Sequence, residues 1–211
     1  MTDASRARSW LGIGAATTGA ALLLVGCSHG VAAPDDLQSA FAGTVQQAIK
    51  DATNAGASTQ QLDILERAAK DGGVTFEDAK IAATTAMSCM AEQGVTATYQ
   101  EMALPNGVTI PAYVVNSEKS DGTDASDVMD QCERAESFWV NMLFQVQPTS
   151  VEANLAFIEK QAPVIRKCLE DAGYDTDPDA TGMELVLQST DVGQQTGLRV
   201  DCLGDAGVVS Y

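Results

Sequence analysis

The chain reads as a mainly α (α+β) fold: a disulfide-stapled helical domain built of two weakly repeated helical units, with a small β-hairpin around 95–115. Three observations predict it. Apolar residues recur at helical spacing through most of the stretch from 34 to 211. Only 95–115 breaks that rhythm, where β-branched and aromatic residues flank Asn106-Gly107. Beyond residue 27 the cysteines are Cys89, Cys132, Cys168 and Cys202, an even set that reads as two bridges in an exported protein.

The first element is an address. Arg6 and Arg8 give a short positive start, and Leu11 to Val25 is apolar or small throughout. That run is shorter than the roughly 20 residues a membrane span needs. Residues 1–26 therefore read as a signal peptide. The run ends in Leu24-Val25-Gly26-Cys27, which resembles the lipobox of bacterial lipoproteins. The resemblance implies that Cys27 receives a diacylglycerol thioether and becomes the new N-terminus. Two acyl chains anchor stably, at about 0.8 kcal/mol per buried methylene. Residues 27–33 would form a lipidated tether, and 34–211 the extracytoplasmic helical domain, with possible halves 34–147 and 148–211. The arginines are separated by Ala7, which argues against a twin-arginine signal.

Within 34–211 the helices follow from periodicity and caps. Pro34 to Ala55 places Leu37, Phe41, Val45 and Ile49 on one stripe and stops at Gly56. Ser58 with Gln61 predicts a capping box for a helix that stops at Gly72-Gly73. Thr75, with Asp78 three residues on, caps a helix bearing Phe76, Ala79, Ala83, Ala86, Met87 and Met90 that stops at Gly94. Two strands then flank Asn106-Gly107, and Pro111 demands an edge position or a bulge. Residues 116–126 are polar and loop-like. One helix is expected from about Asp127 to Pro148, carrying Val128, Cys132, Phe138, Trp139, Met142 and Leu143. Another starts at Ser150, and Pro163 should kink or split it. Asp175 to Thr181 reads as a loop. Two short helical patterns close the chain, near Met183–Leu187 and Asp191–Leu203.

One ending recurs: Cys89-Met90 before Gly94-Val95, Cys168-Leu169 before Gly173-Tyr174, and Cys202-Leu203 before Gly207-Val208. The shared form is a helix C-terminus, with Gly left-handed at C′ and the next residue packing back on C3. It predicts Met90 against Val95, Leu169 against Tyr174, and Leu203 against Val208. Three pairings of four cysteines are open. The repeat favours Cys89–Cys132 and Cys168–Cys202, although the third copy occupies the second cysteine of the second unit and spoils the symmetry. No C-x-x-C occurs, so a redox pair or zinc knuckle is not indicated.

Composition narrows the chemistry. The formal net charge is −17, and the leader removes Asp3, Arg6 and Arg8, so the mature part is one unit more negative. Such a chain is repelled by nucleic acid and by anionic headgroups. The only histidine is His29, in the tether. Ser-His-Asp, Cys-His and histidine-zinc chemistry are thereby set aside. No glycine-rich phosphate loop, nucleophile elbow or carboxylate motif is visible. No catalytic residue, metal ligand or cofactor is assigned.

Two places could be sites. Asp175, Asp177 and Asp179 have the spacing of a calcium-loop start, but the sixth and twelfth positions hold Ala180 and Val186 in place of Gly and Glu. A solvated acidic turn is the plainer reading. Phe138, Trp139 and Phe144 form an aromatic group that could anchor a partner; at helical spacing beside Met142 and Leu143, core is the plainer reading.

Gly73 to Asp78, followed by Cys89-Met90 and Gly94-Val95, resembles a group of secreted or lipid-anchored actinobacterial proteins whose activity is uncharacterised. The resemblance implies no catalytic residue. The expectation is a lipid-anchored protein on the extracytoplasmic face of the cell membrane. It would be a non-enzymatic binding or interaction module with a partner in the envelope and no nucleic acid. The alternatives are an extracytoplasmic carboxylate-based hydrolase, which requires paired Asp or Glu residues in one cleft, and a weak calcium-dependent module at Asp175–Asp179.

Overall fold

Eight helices and one hairpin follow the expected order in the computed structural model, which describes residues 34–115, 125–197 and 199–208. Cys27, His29 and the leader lie outside the described residues, as does most of the expected loop 116–126.

The first three helices are α1 (Pro34–Asn54), α2 (Thr59–Asp71) and α3 (Phe76–Glu92). Thr75 caps α3 by accepting from Asp78 N and donating to its Oδ2, while Arg67 Nη2 approaches Asp78 Oδ1 at 2.5 Å. Ser58 caps α2 by accepting from Gln61 N. The reciprocal half of the expected capping box is missing, because the Gln61 side chain, fully buried, turns away to a distant segment.

That segment is where one expected helix becomes two, α4 (Ser126–Glu136) and α5 (Phe138–Val146). In an unbroken helix Ala135 O would accept from Trp139 N. Here the Gln61 amide stands between them: its Nε2 donates to Ala135 O at 2.6 Å and Arg134 O at 3.1 Å, and its Oε1 accepts from Trp139 N at 2.9 Å. Ser58 N also donates to Ala135 O. A side chain inserted into the main-chain ladder is a sufficient cause for a break.

Strands β1 (Ala97–Ala103) and β2 (Thr109–Val115) pair antiparallel, from Ala97 against Val115 to Ala103 against Thr109. Gly107, at φ +85°, closes the turn by donating to Leu104 O. Leu104 N–H donates to Val108 O, so alternate residues back to Thr98 face β2. Pro111, opposite Glu101, therefore has its nitrogen on the far edge of β2 and costs no ladder bond.

The remaining helices are α6 (Pro148–Asp171), α7 (Gly182–Thr196) and α8 (Cys202–Asp205). Pro148 opens α6 at N1, two residues before the expected start, where a missing N–H is harmless. Pro163 does not split α6, which runs on to Asp171. The two short closing patterns are redrawn as one helix through Gly193 and a separate turn at α8. Thr181 and Glu184 form a full capping box at the start of α7. Gly182 lies against the α6 main chain, where an added Cβ would sit 2.9 Å from both Glu159 Cα and Ile158 O.

All three repeated endings close alike. Val95 donates to Met90 O, Tyr174 to Leu169 O and Val208 to Leu203 O, with Gly94, Gly173 and Gly207 at positive φ. Cys89 and Cys132 are joined at 2.03 Å, and Cys168 and Cys202 at 1.97 Å.

The described residues form one compact unit, and its core falls into three clusters. One unites α1, α2, α3 and α5 around Val45, Leu65 and Leu143. A second, around Val95 and Cys132, joins the end of α3 to α4 and the hairpin. The third, around Ile165, Leu169 and Leu185, belongs to α6, α7 and α8. Gln147 adds a buried polar link, its Oε1 accepting from Val74 N at 2.9 Å.

Candidate functional site: a cleft beside the hairpin

The break at Ser137 has a spatial consequence. It starts a separate helix, α5, at Phe138, and Pro148 then opens α6. Between β2 with its turn, the α4–α5 junction and the first turns of α6 lies an open-mouthed cleft of about 660 Å³. Leu104, Val108 and Ile110 line it from the hairpin, Met142 and Val146 from α5, Val151 and Leu155 from α6, and Met183 from α7. Phe138, Val146 and Met183 are 49%, 43% and 39% exposed there, so large apolar side chains gather at this mouth without cover.

The polar lining is mostly uncharged. Asn141 and Gln145 share one face of α5 at i, i+4 spacing, and Asn106 and Asn154 stand on the hairpin turn and on α6. Amides in this number can both donate and accept. Ser150 Oγ is already committed to Phe144 O at 2.8 Å. Among the described residues the cleft holds one carboxylate, Glu133, whose Oε1 accepts from the Tyr113 hydroxyl at 2.9 Å. Burial, then the Glu133 charge and this bond, push the Tyr113 phenol well above its ordinary range. The Tyr113 hydroxyl therefore keeps its proton and serves as the hydrogen-bond donor that holds Glu133 in place.

The expected aromatic group is divided by the helix it sits on. Phe144 is buried and meets Phe76 edge-on, at 6.4 Å between centroids. Trp139 is partly buried against the same core, with its Nε1 enclosed and unpaired. Phe138 stacks edge-on to Trp139 at 4.8 Å and faces the cleft. Of the three, Phe138 alone lines the cleft.

Asp175, Asp177 and Asp179 stay at the surface, and among the described residues no acidic, cysteine or histidine group converges as a metal site. The loop is organised by a cation the chain already owns. Arg166 reaches in from α6, donating to Thr176 Oγ1 at 3.2 Å, to Asp177 O, and to Ala180 O at 3.0 Å. Asp177 Oδ1 accepts from Asp179 N, an ordinary turn bond.

Sequence reasoning misses the cleft's polar residues. One signal was available: Asn141 and Gln145 interrupt an otherwise apolar helix at a spacing that puts both on one side. No helix among the described residues is long and apolar enough to cross a membrane. Comparison of the chain with protein-family models, with curated proteins and with solved structures found no match to any of them.

Proposed function

We propose that this is a lipid-anchored, extracytoplasmic binding module, held to the membrane through Cys27, whose ligand seat is the cleft beside the hairpin. The observation that carries the reading is the cleft's lining: among the described residues, uncovered Phe138, Val146 and Met183 stand beside four carboxamides, with a single, already bonded carboxylate. Recognition sites combine apolar walls with a few placed polar groups in this way. The lining suits an uncharged or cationic ligand with an apolar body and amide- or hydroxyl-like groups. An anion would meet Glu133 and the acidity of the whole chain.

A carboxylate-based hydrolase needs a second acid near the first, and among the described residues lining the cleft Glu133 has no such neighbour. A calcium module at Asp175–Asp179 would have to displace the Arg166 guanidinium. Neither reading gains an observation in its favour.

The test is a photo-crosslinking residue at Asn154, inside the cleft, and at Gln46, on the exposed side of α1, in intact cells. The reading predicts an adduct of defined mass at position 154 that is absent at 46. The same adducts at both positions, or none at 154, would contradict it.

A further inference from the structure

The hairpin has two outer edges, and they are treated differently. On β2 the far edge carries Pro111, which has no N–H to offer and is buried. On β1 the far edge is unpaired among the described residues. Because Thr98, Gln100, Met102 and Leu104 turn their main-chain groups toward β2, Ala97, Tyr99, Glu101 and Ala103 turn theirs away. The sheet has two strands, and among the described residues no main-chain hydrogen bond reaches those four outward-facing positions. From Gln100 to Ala103 the strand is exposed. It carries no proline, lysine or bulge of the kind that usually blunts such an edge.

We infer that β1 pairs with β1 of a second copy of this chain, antiparallel, about a two-fold axis at Gln100. The register decides the occupant. Centred on Gln100, all four outward residues find an outward partner: Ala97 meets Ala103 and Tyr99 meets Glu101 of the second copy, twice each. Four such pairs exchange about eight main-chain hydrogen bonds. Centred on Glu101, the same strands would set carboxylate against carboxylate, and centred on Tyr99 they would lose a pair. The favoured register also matches charge. Lys80 Nζ lies 3.8 Å from Glu101 Oε1 and 5.5 Å from the Tyr99 ring centre. These contacts lie within one copy, so each Glu101 that meets a Tyr99 of the second copy arrives with its charge already balanced by its own Lys80. Self-complementary contact of this kind is what a two-fold interface requires.

The product is a four-stranded sheet in the order β2-β1-β1-β2, better supported than an isolated hairpin. Repulsion between two acidic chains opposes it in dilute solution, and tethering in one membrane plane offsets that by raising effective concentration. This pairing is independent of the cleft.

The test uses the full chain in its own membrane, oxidised gently and run without reductant. At the axis, the two Gln100 residues form a non-hydrogen-bonded pair with Cα atoms about 4.5 Å apart, within reach of a disulfide. Gln100→Cys should give a cross-linked dimer several-fold above both the parent chain and Met102→Cys, whose two copies lie some rungs apart. Adding Glu101→Pro, which removes an outward N–H but no bond to β2, should return the yield to the Met102→Cys level while the far-UV circular dichroism is unchanged. Equal yields for Gln100→Cys and Met102→Cys, no dimer from Gln100→Cys, or an undiminished dimer with a folded Glu101→Pro would each overturn the pairing.

Discussion

The two bridges have the same relation to a helix end and different work to do. Cys89 and Cys168 each sit just before a Met90 or Leu169 that accepts the closing bond of the helix. Their partners differ. Cys132 lies within α4, an eleven-residue helix with Val128 and Cys132 already buried against the hairpin cluster. Cys202 begins α8, which has four residues. A helix that short has no intrinsic stability. It persists through Asp201, whose Oδ1 accepts from Gly204 N at 2.9 Å, through the Val208–Leu203 closure, and through its bridge to α6. One bridge reinforces packing that exists; the other supplies the tie that lets packing occur. A repeated sequence motif thus marks a shared local geometry without implying a shared structural role.

Removing the bridges in turn breaks this comparison most strongly. In the chain-entropy account each loop contributes about 4 kcal/mol. Cys168→Ala with Cys202→Ala, and Cys89→Ala with Cys132→Ala, should lower global stability by about that much in denaturant titrations. Hydrogen exchange separates them. The first pair of substitutions should expose the amides of 202–208 far more than those of α6. The second should leave α4 protected up to the global transition. Equal protection of 202–208 with and without its bridge would remove the distinction.

Next in size is Gln61. Gln61→Leu removes the Gln61 bonds to Arg134 O and Trp139 N and leaves Ala135 O with Ser58 N as its donor, at about 3 kcal/mol for the three lost bonds. Thermal melts should show that loss. A Gln61→Leu variant as stable as the parent would mean the junction closes into a continuous helix unaided. At the start of α7, Gly182→Ala drives a Cβ into the main chain at Ile158 and Glu159 and should cost about 2 kcal/mol. An unchanged melt would show that α7 can slide away from α6.

The smallest effect is a pH dependence. Tyr113 has its phenol pKa raised above the free value near 10. A raised pKa means the protonated form is favoured by the fold. Its contribution is therefore full below about pH 10 and is lost as pH rises from there toward the folded value. Tyr113→Phe should cost about 1 kcal/mol at pH 7 and flatten the fall in stability above pH 10. A parallel alkaline limb in the two proteins would assign that fall to other groups.

These residues also mark how far local reading reaches. Caps and helix ends were legible because each is written within seven residues: Thr75 with Asp78, and Cys89-Met90 through Gly94-Val95. The pairing of Cys168 with Cys202 followed from the same repeat. The break at Ser137 was not legible, because its cause is Gln61, more than seventy positions away. Gln61 was read as half of a capping box, which is what a local rule assigns to a Gln at N3. Continuity of α7 through Gly193 was missed because glycine's low helix propensity was overridden by burial against α6 and α8. The cleft was invisible for a related reason. Its walls come from residues 104–113, 133–146 and 150–155, and only Asn141 and Gln145 announced themselves by spacing.

The account rests on export of a chain that is acylated at one cysteine and oxidised at four. Intact mass analysis of the protein taken from cells with free thiols blocked tests this most directly. The account predicts a chain beginning at Cys27, heavier by a diacylglycerol group, with no blocked thiol on Cys89, Cys132, Cys168 or Cys202. A chain that retains residues 1–26, carries no lipid and is blocked at all four would contradict it.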